Sequence, residues 1–333
     1  MFKAYGLYSH IRANRIRSVL LLVSFVALLQ AVLFSLALLL EAFNGGSFAD
    51  IAIAAWGDMQ SAWPIGAAAA FLWFVIAFAF HHWIIDAATG AGSVTRIEAP
   101  KLYNALENLC IARGIPMPAL KIIETPAANA YASGLRERRY AITVTRGLID
   151  TLTEAEIEAV LGHELTHIRN RDTQMMVVAV IFAGIFAFVG DLLIRSWQFP
   201  YGLSPRHGGQ RGSNGDRRRS GDGSGAILAI LVAVAVILIS WGVSTLIRFA
   251  ISRSREFLAD AGSVELTKNP DAMISALRKI SANATIPDVP SRMHAFFIES
   301  PQDAPAESGW LATHPALQDR IEALKRYAGG HET

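Results

Sequence analysis

The sequence predicts an α+β membrane protein that is mostly helical, with about four transmembrane helices and a polar domain that contains a small β-sheet. Three observations lead to this prediction. Hydrophobic residues make up 52% of the chain, and the mean hydropathy of +0.34 is high for a soluble protein. Four apolar runs are each long enough to cross a hydrocarbon core of about 30 Å. The polar stretches between them show helical and β-like periodicity.

The first two apolar runs define an expected N-terminal membrane region, residues 1–90. Residues 19–40 follow a basic segment and precede a loop, 41–64, that holds acidic residues without Lys or Arg, so the positive-inside rule places the N-terminus in the cytoplasm. A cleavable signal peptide is the alternative. A signal anchor is favoured because the run is long and no small-x-small cleavage site follows it. The second run, 65–85, returns the chain to the cytoplasmic side.

The third and fourth runs, 175–194 and 226–247, are expected to form an apolar hairpin. The loop between them, 195–225, is rich in Gly, Ser and Arg and is expected to be disordered. Its positive charge disfavours an extracytoplasmic location, so the hairpin either crosses the membrane or lies against the polar domain. Either way the chain returns to the side that it left. Residues 91–174 and 248–333 therefore share a compartment and are expected to form one domain.

The polar domain begins with an amphipathic helix, expected over residues 99–113. Three β-like segments follow, at 119–123, 129–133 and 140–145. They predict a small antiparallel sheet with a hairpin between the last two segments. Thr153, with Glu156 three residues later, has the capping-box pattern that begins a helix.

That helix contains the sequence His163-Glu164-Leu165-Thr166-His167, which places two imidazoles one turn apart on one face. Both can bind a single Zn²⁺ at about 2.0 to 2.1 Å, and Glu164 can act as a general base on a zinc-bound water. Two surface histidines on a polar helix are the alternative. The single cysteine, Cys110, cannot build a cysteine-based metal site, so a further ligand must be a histidine or a carboxylate.

Glu256 and Asp260 are the candidates for that carboxylate, because they also lie four residues apart on a polar helix. One can bind zinc while the other accepts the free N–H of a ligating histidine. Two histidines and one carboxylate leave a coordination position open, as a catalytic zinc requires. The alternative is a salt-bridged helix face with Arg253 and Arg255.

Two further segments complete a pattern that covers essentially the whole chain. These are Asn129-Ala130-Tyr131-Ala132 and Thr313-His314-Pro315, the latter followed by Arg320. With them the sequence closely resembles the HtpX-type membrane zinc metalloproteases, relatives of the enzymes that trim prenylated CAAX proteins. The resemblance implies a zincin-like catalytic domain that holds one Zn²⁺ through His163, His167 and Glu256, with Asp260 supporting a ligating histidine.

The resemblance also implies roles for the other motif residues. Asn129, Ala130, Tyr131 and Ala132 would form an edge strand that receives substrate, with Asn129 hydrogen-bonding the peptide backbone. His314 would approach the site and stabilise the oxyanion, with Arg320 as support. By spacing alone, Asn129 is an ordinary turn residue and His314 an ordinary loop histidine.

The implied function is that of a zinc-dependent endopeptidase in the bacterial inner membrane, with its site at the cytoplasmic face. It would cleave misfolded or surplus membrane proteins by attack of a zinc-bound water, in protein quality control and the stress response. Its partners would be the lipid bilayer and protein substrates. The charge is nearly balanced, 30 Lys and Arg against 28 Asp and Glu, so nothing indicates nucleic acid as a partner.

Other classes of protein fit the sequence less well. A metzincin requires x-x-Gly-x-x-His after His167, which is absent. A site-2-type intramembrane protease would carry its HExxH inside an apolar span, with a partner segment resembling Asn269-Pro270-Asp271. Here both segments lie in polar regions. A non-catalytic scaffold or transporter that stores zinc is the alternative from a different class, with Asp191 as its main candidate for transport.

Overall fold

The computed structural model describes residues 27–136, 139–177, 223–250, 253–286, 297–298 and 314–330. These residues divide into two compact units. One unit comprises the described residues of 73–177 and those from 245 onward, and the other comprises 27–72 and 223–244. Described residues of both stretches expected to form the polar domain thus fall in one unit.

The described residues form nine α-helices of six residues or more, apart from a short helical segment after α5, and four β-strands. The helices are α1 (Ala27–Ala42), α2 (Phe48–Thr89), α3 (Pro100–Arg113), α4 (Arg146–Thr151), α5 (Glu154–Arg169), α6 (Gly223–Ala250), α7 (Arg253–Thr267), α8 (Pro270–Ala282) and α9 (Leu317–Ala328). The strands are β1 (Gly92–Ser93), β2 (Ala119–Ile123), β3 (Ala130–Ser133) and β4 (Ala141–Thr145). Residues 172–177 are also helical.

Among the described residues, α2 is the one helix that is both long enough and apolar enough to cross a membrane. Only 6% of its most apolar window is buried, which distinguishes it from the core helix of a soluble protein. The expected span 65–85 lies within it. The expectation of a loop over 41–64 is wrong from Phe48 onward, because the hydroxyl of Ser47 accepts a hydrogen bond from the Asp50 N–H and an alanine-rich run favours helix.

The other expected spans are described only in part. The apolar stretches Ala27–Ala42 and Ser224–Ile239 overlap the first and fourth expected spans, and the second of them belongs to the 28-residue helix α6. Residues 178–222 lie outside the described residues, and with them most of the third span, nearly all of loop 195–225, and Asp191. The number of four transmembrane helices therefore stays a prediction.

The sheet has the strand order β1-β2-β4-β3, so β3 lies at an edge. The hairpin between β3 and β4 has the predicted antiparallel pairing, with Ala132 opposite Ile142. The prediction of a fully antiparallel sheet is wrong, because β2 pairs parallel with β4. After β2 the chain crosses to the far edge to form β3, so the returning strand β4 runs in the direction of β2 between them.

Helix α5 lies at the centre of the main hydrophobic core. Thr153 caps the helix, and its N–H donates to the Glu156 carboxylate at 2.7 Å in the predicted capping box. Glu156 also accepts hydrogen bonds from Ser275 at 2.5 Å and from Lys279 at 2.8 Å, both on α8. Around α5 pack apolar side chains of α3, β4 and α8, among them Leu106, Ile142 and Leu277, and α9 adds Ile321 to the same core.

Helices α5 and α7 approach each other closely through small residues. A Cβ atom on Gly262 would overlap the side chain of Thr166, which lies between the two histidines of α5. One residue further along α7, the hydroxyl of Ser263 donates to the carbonyl of Ala159 at 2.5 Å. Both contacts hold α7 against the helix face that carries the histidines.

We expect Gly262→Ala to destabilise the protein by about 1–3 kcal/mol, because the added methyl group forces the two helices apart. Thermal denaturation of the detergent-solubilised protein measures this as a lower midpoint. Gly57→Ala is the matched control, since it makes the same change in helix α2 where no atom lies within 4 Å of the added Cβ. Equal midpoints for the two variants would refute the close contact.

Candidate metal centre

His163, His167 and Glu256 bring three potential ligand atoms together. The Nε2 atoms of the two histidines lie 3.1 Å apart, and their ring planes are inclined at 83°. Glu256, in the first turn of α7, places its carboxylate oxygens 3.4 Å from His163 Nε2 and 3.7 Å from His167 Nε2. The ligand atoms of the three residues all lie within 4.8 Å of one another. No other such group of His, Cys, Asp or Glu occurs among the described residues.

Each histidine has a second carboxylate at its other ring nitrogen. His163 Nδ1 lies 2.9 Å from Asp260, and His167 Nδ1 lies 3.1 Å from Asp172. An Nδ1–H held by a carboxylate leaves the Nε2 lone pair free for a metal ion, and it makes the imidazole a better ligand.

Asp172 is not predicted by the spacing of the sequence motifs. An acidic residue five positions after His167 does not share its face on a regular helix. The helix ends near Asn170, however, and Arg171 adopts a positive φ of 60°, so the chain turns and brings Asp172 back to the imidazole. The signal that could have identified Asp172 is an acidic residue a few positions after the end of the helix that carries the second histidine.

Arg320 supports Asp260 from the opposite side. Its guanidinium is fully buried and donates two hydrogen bonds to the Asp260 carboxylate, at 2.9 Å and 2.7 Å. A third hydrogen bond reaches the carbonyl of Ile298 at 2.9 Å. Arg320 is therefore a supporting residue of the centre, and its bidentate partner is Asp260 because the planar guanidinium matches a carboxylate. Its expected support of His314 stays a prediction.

The charges around the histidines favour a cation. Burial raises the pKa of Asp260, but Arg320 outweighs that effect and holds the pKa below its ordinary value. Burial also raises the pKa of Glu256, yet His163, His314 and His167 bring it well below its usual range. Burial lowers the pKa of His163, but Asp260 and Glu256 raise it to about 9. Buried anionic carboxylates beside two imidazoles therefore fit a divalent metal ion such as zinc.

Glu164 is buried directly beside these ligands. Its Oε2 atom has no hydrogen-bond partner among the residues that the structure describes. Burial raises its pKa, while the charges of the two histidines and a hydrogen bond from the backbone N–H of Ala132 oppose the shift. A carboxyl with a raised pKa and a free oxygen suits a group that accepts and returns a proton near pH 7.

His314 lies at the same carboxylate as the two histidines of α5. Its Nδ1 atom is 3.7 Å from the Glu256 carboxylate, longer than a hydrogen bond. The side chain is buried, and neither ring nitrogen has a hydrogen-bond partner within the described part of the chain. Both are therefore open to a ligand at the metal centre.

The edge strand β3 borders the centre. Asn129, just before it, is fully buried, and its amide donates to the carbonyl of Ala284 and accepts from the N–H of Ala130, both at 3.0 Å. Asn129 therefore anchors the strand in this conformation, and its expected hydrogen bond to the substrate backbone stays a prediction. The Tyr131 hydroxyl lies 3.0 Å from that of Thr89 in a buried contact. Ala132 directs its N–H to Glu164.

This geometry defines a class of protein, the metallopeptidases whose HExxH helix supplies two ligands and a base. The chain belongs to Peptidase family M48, whose family model matches residues 96–328. The family is zinc-dependent. The resemblance to the HtpX-type proteases is thereby confirmed at the level of the family.

Curated relatives agree with this assignment. A protein named Protease HtpX homolog from Bacteroides fragilis (strain YCH46) is 41% identical over 262 residues, which cover 77% of each chain. Its namesake from Listeria monocytogenes serotype 4a (strain HCC23) is 32% identical, covering 83% of this chain and 90% of the relative. The Protease HtpX homolog from Lactobacillus helveticus (strain DPC 4571) is 31% identical, and the match covers 96% of this chain and 99% of the relative.

Among solved structures, the chain is similar to Ste24p of S. mikatae, a crystal structure, with a TM-score of 0.44 and 19% identity. The match covers 80% of this chain and 64% of that one, so this chain spans less than two thirds of its length.

We expect Asp172→Ala to lower the zinc affinity by roughly 10–100-fold, because His167 loses the carboxylate that orients its ring. Competition with a chromophoric chelator measures the dissociation constant. Asp150→Ala removes an exposed acidic residue of α4 and serves as the control. An unchanged affinity in the Asp172 variant would exclude this carboxylate from the metal centre.

Proposed function

We propose that this membrane metallopeptidase is a zinc-dependent endopeptidase that cleaves misfolded or surplus membrane proteins at the cytoplasmic face of the bacterial inner membrane. Its role would be protein quality control and the stress response. One observation carries the proposal: the buried Glu164, with one oxygen free of hydrogen bonds within the described residues, lies next to three convergent ligand side chains. Metal storage would not require a base beside the ligands.

His163, His167 and Glu256 would hold the zinc ion. When bound, zinc supplies Lewis-acid polarisation of the scissile carbonyl and lowers the pKa of a water to about 7. Glu164 takes the proton from the attacking water and then donates it to the leaving amine. His314, whose ring nitrogens have no hydrogen-bond partner within the described residues, stabilises the negative charge that develops on the carbonyl oxygen.

The substrate would pair as an added strand with the outer edge of β3. Main-chain hydrogen bonds of this kind do not depend on side chains, which suits a protease for varied proteins. The carbonyl of Ala130 already accepts a hydrogen bond from the N–H of Ile298 at 2.9 Å. Pairing would therefore be centred on Ala132, whose N–H would exchange its bond to Glu164 for one to the substrate backbone.

Two observations support substrates drawn from the membrane. The last part of α2 belongs to the same compact unit as the metal centre, so the site would lie next to the bilayer. The basic segment before residue 19, together with acidic residues and no Lys or Arg over 41–64, favours a cytoplasmic N-terminus. Because α1 and α2 would then form two crossings, the metal centre that follows α2 would also be cytoplasmic.

We expect Glu164→Gln to retain zinc at one ion per chain and to lose at least about 100-fold in cleavage rate, because the amide cannot accept the proton from water. Cleavage of a denatured protein and of the chain itself, followed by gel electrophoresis in detergent, measures the rate. Glu158→Gln changes an exposed glutamate of the same helix and should leave cleavage unaltered. Undiminished cleavage by the Glu164 variant would reject this residue as the base.

Glu256→Ala should lower the zinc content of the purified protein sharply, because two imidazoles alone are a weak ligand set. Elemental analysis after dialysis gives the metal-to-protein ratio. Glu265→Ala, an exposed glutamate later in α7, is the control and should remain loaded. Full zinc occupancy in the Glu256 variant would remove this residue from the ligand set.

A further inference from the structure

The C-terminal end of α2 has the surface of a helix at a membrane boundary. Phe80, Trp83 and Ile84 are exposed by 57%, 72% and 41%. Tryptophan at the end of an apolar helix typically lies at the level of the lipid headgroups. Asp86, which is ionisable, follows within the same turn. The polar groups around this end of α2 therefore face the headgroup layer.

The turn between β3 and β4 brings two arginines to this end of α2. The Arg136 guanidinium lies 5.2 Å from the centre of the Phe78 ring. Arg136 and Arg139 are exposed, and no ion pair with a carboxylate joins either of them among the described residues. Lys121 of β2 is already neutralised by Asp86, at 2.6 Å. The two arginines thus provide positive charge that is available to an anion.

Two cavities open beside these arginines, and Arg139 lines both. The larger, of about 510 Å³, is also lined by His82, Lys121 and Met117. The smaller, of about 190 Å³, is also lined by Phe78, His81, Leu135 and Arg136. Each cavity therefore combines cationic groups with apolar walls. This combination suits the part of a phospholipid where the phosphate group meets the acyl chains.

Two other histidines, His81 and His82 of α2, provide a second, independent indication of a ligand. His81 is only 3% exposed, and its Nδ1 lies 2.8 Å from the carbonyl of Phe78, to which it can donate. Its Nε2 atom is buried without a hydrogen-bond partner in the described part of the chain, as is Nε2 of His82. Buried polar atoms without partners are costly, so a ligand hydroxyl that donates to them would be stabilising.

We propose that these cavities bind the headgroup of an anionic phospholipid. Arg136 and Arg139 contact the phosphate through charge-assisted hydrogen bonds. Hydroxyl groups of the headgroup donate to the Nε2 atoms of His81 and His82, and the apolar walls accept the first carbons of the acyl chains. A free phosphate would leave the apolar walls without partners. The site is separate from the metal centre and does not depend on peptide cleavage.

The test uses the full-length protein in detergent with phosphatidylglycerol as the probe and phosphatidylcholine for comparison. Native mass spectrometry counts the lipid molecules that remain bound. We expect the parent protein to retain more phosphatidylglycerol than phosphatidylcholine. The double variant Arg136→Gln with Arg139→Gln should bind phosphatidylglycerol roughly thirtyfold more weakly, because each of the two lost cations accounts for a similar factor in affinity near a membrane surface. Lys101→Gln with Arg326→Gln removes two other exposed cations and should leave binding unchanged.

Both double variants should keep their zinc and their thermal midpoints, because all four side chains are exposed. Equal retention of phosphatidylglycerol by the parent and the Arg136/Arg139 variant would overturn the proposal. Equal loss in both double variants would do the same, since it would indicate a general charge effect. Displacement of the bound lipid by inorganic phosphate would assign the site to free phosphate and would also overturn it.

Discussion

The close contact between α5 and α7 fixes where Glu256 lies relative to His163 and His167. At Gly262 the two helices come too close for a Cβ atom, and the distance between them determines whether a carboxylate on α7 reaches the imidazoles on α5. The metal centre is thus assembled by packing between helices, since no single stretch of chain contains all three side chains. The capping box at Thr153 and the contacts of Glu156 with α8 keep α5 in place for this packing.

The buried charges around the centre are stable only as a network. Removing carboxylates from water is costly, and each requires hydrogen bonds or an opposite charge. Arg320 meets that need for Asp260 and so fixes the carboxylate that holds His163. Asp172 lies at Nδ1 of His167 in the same way as Asp260 lies at Nδ1 of His163. The two imidazoles are therefore oriented from behind, while their Nε2 atoms and Glu256 face one another at 3.1–3.7 Å.

The sequence predicted most of the candidate site because its residues follow helical spacing. The pairs His163 with His167 and Glu256 with Asp260 are each four residues apart, so each pair shares a face wherever its helix packs. Asp172 escaped prediction because a local turn, and not periodicity, returns it to the site. The parallel pairing of β2 with β4 escaped for a related reason: strand order depends on long-range packing, and a sequence of three short β-like segments does not specify it.

The sheet also connects the metal centre to the end of α2. Tyr131 of β3 bonds Thr89, and Lys121 of β2 bonds Asp86, so two adjacent turns of the helix are tied to strands that border the site. Both contacts are buried or half-buried, and breaking either would leave a polar group without a partner. The edge strand that would receive substrate is therefore held at a fixed height relative to the end of an apolar helix.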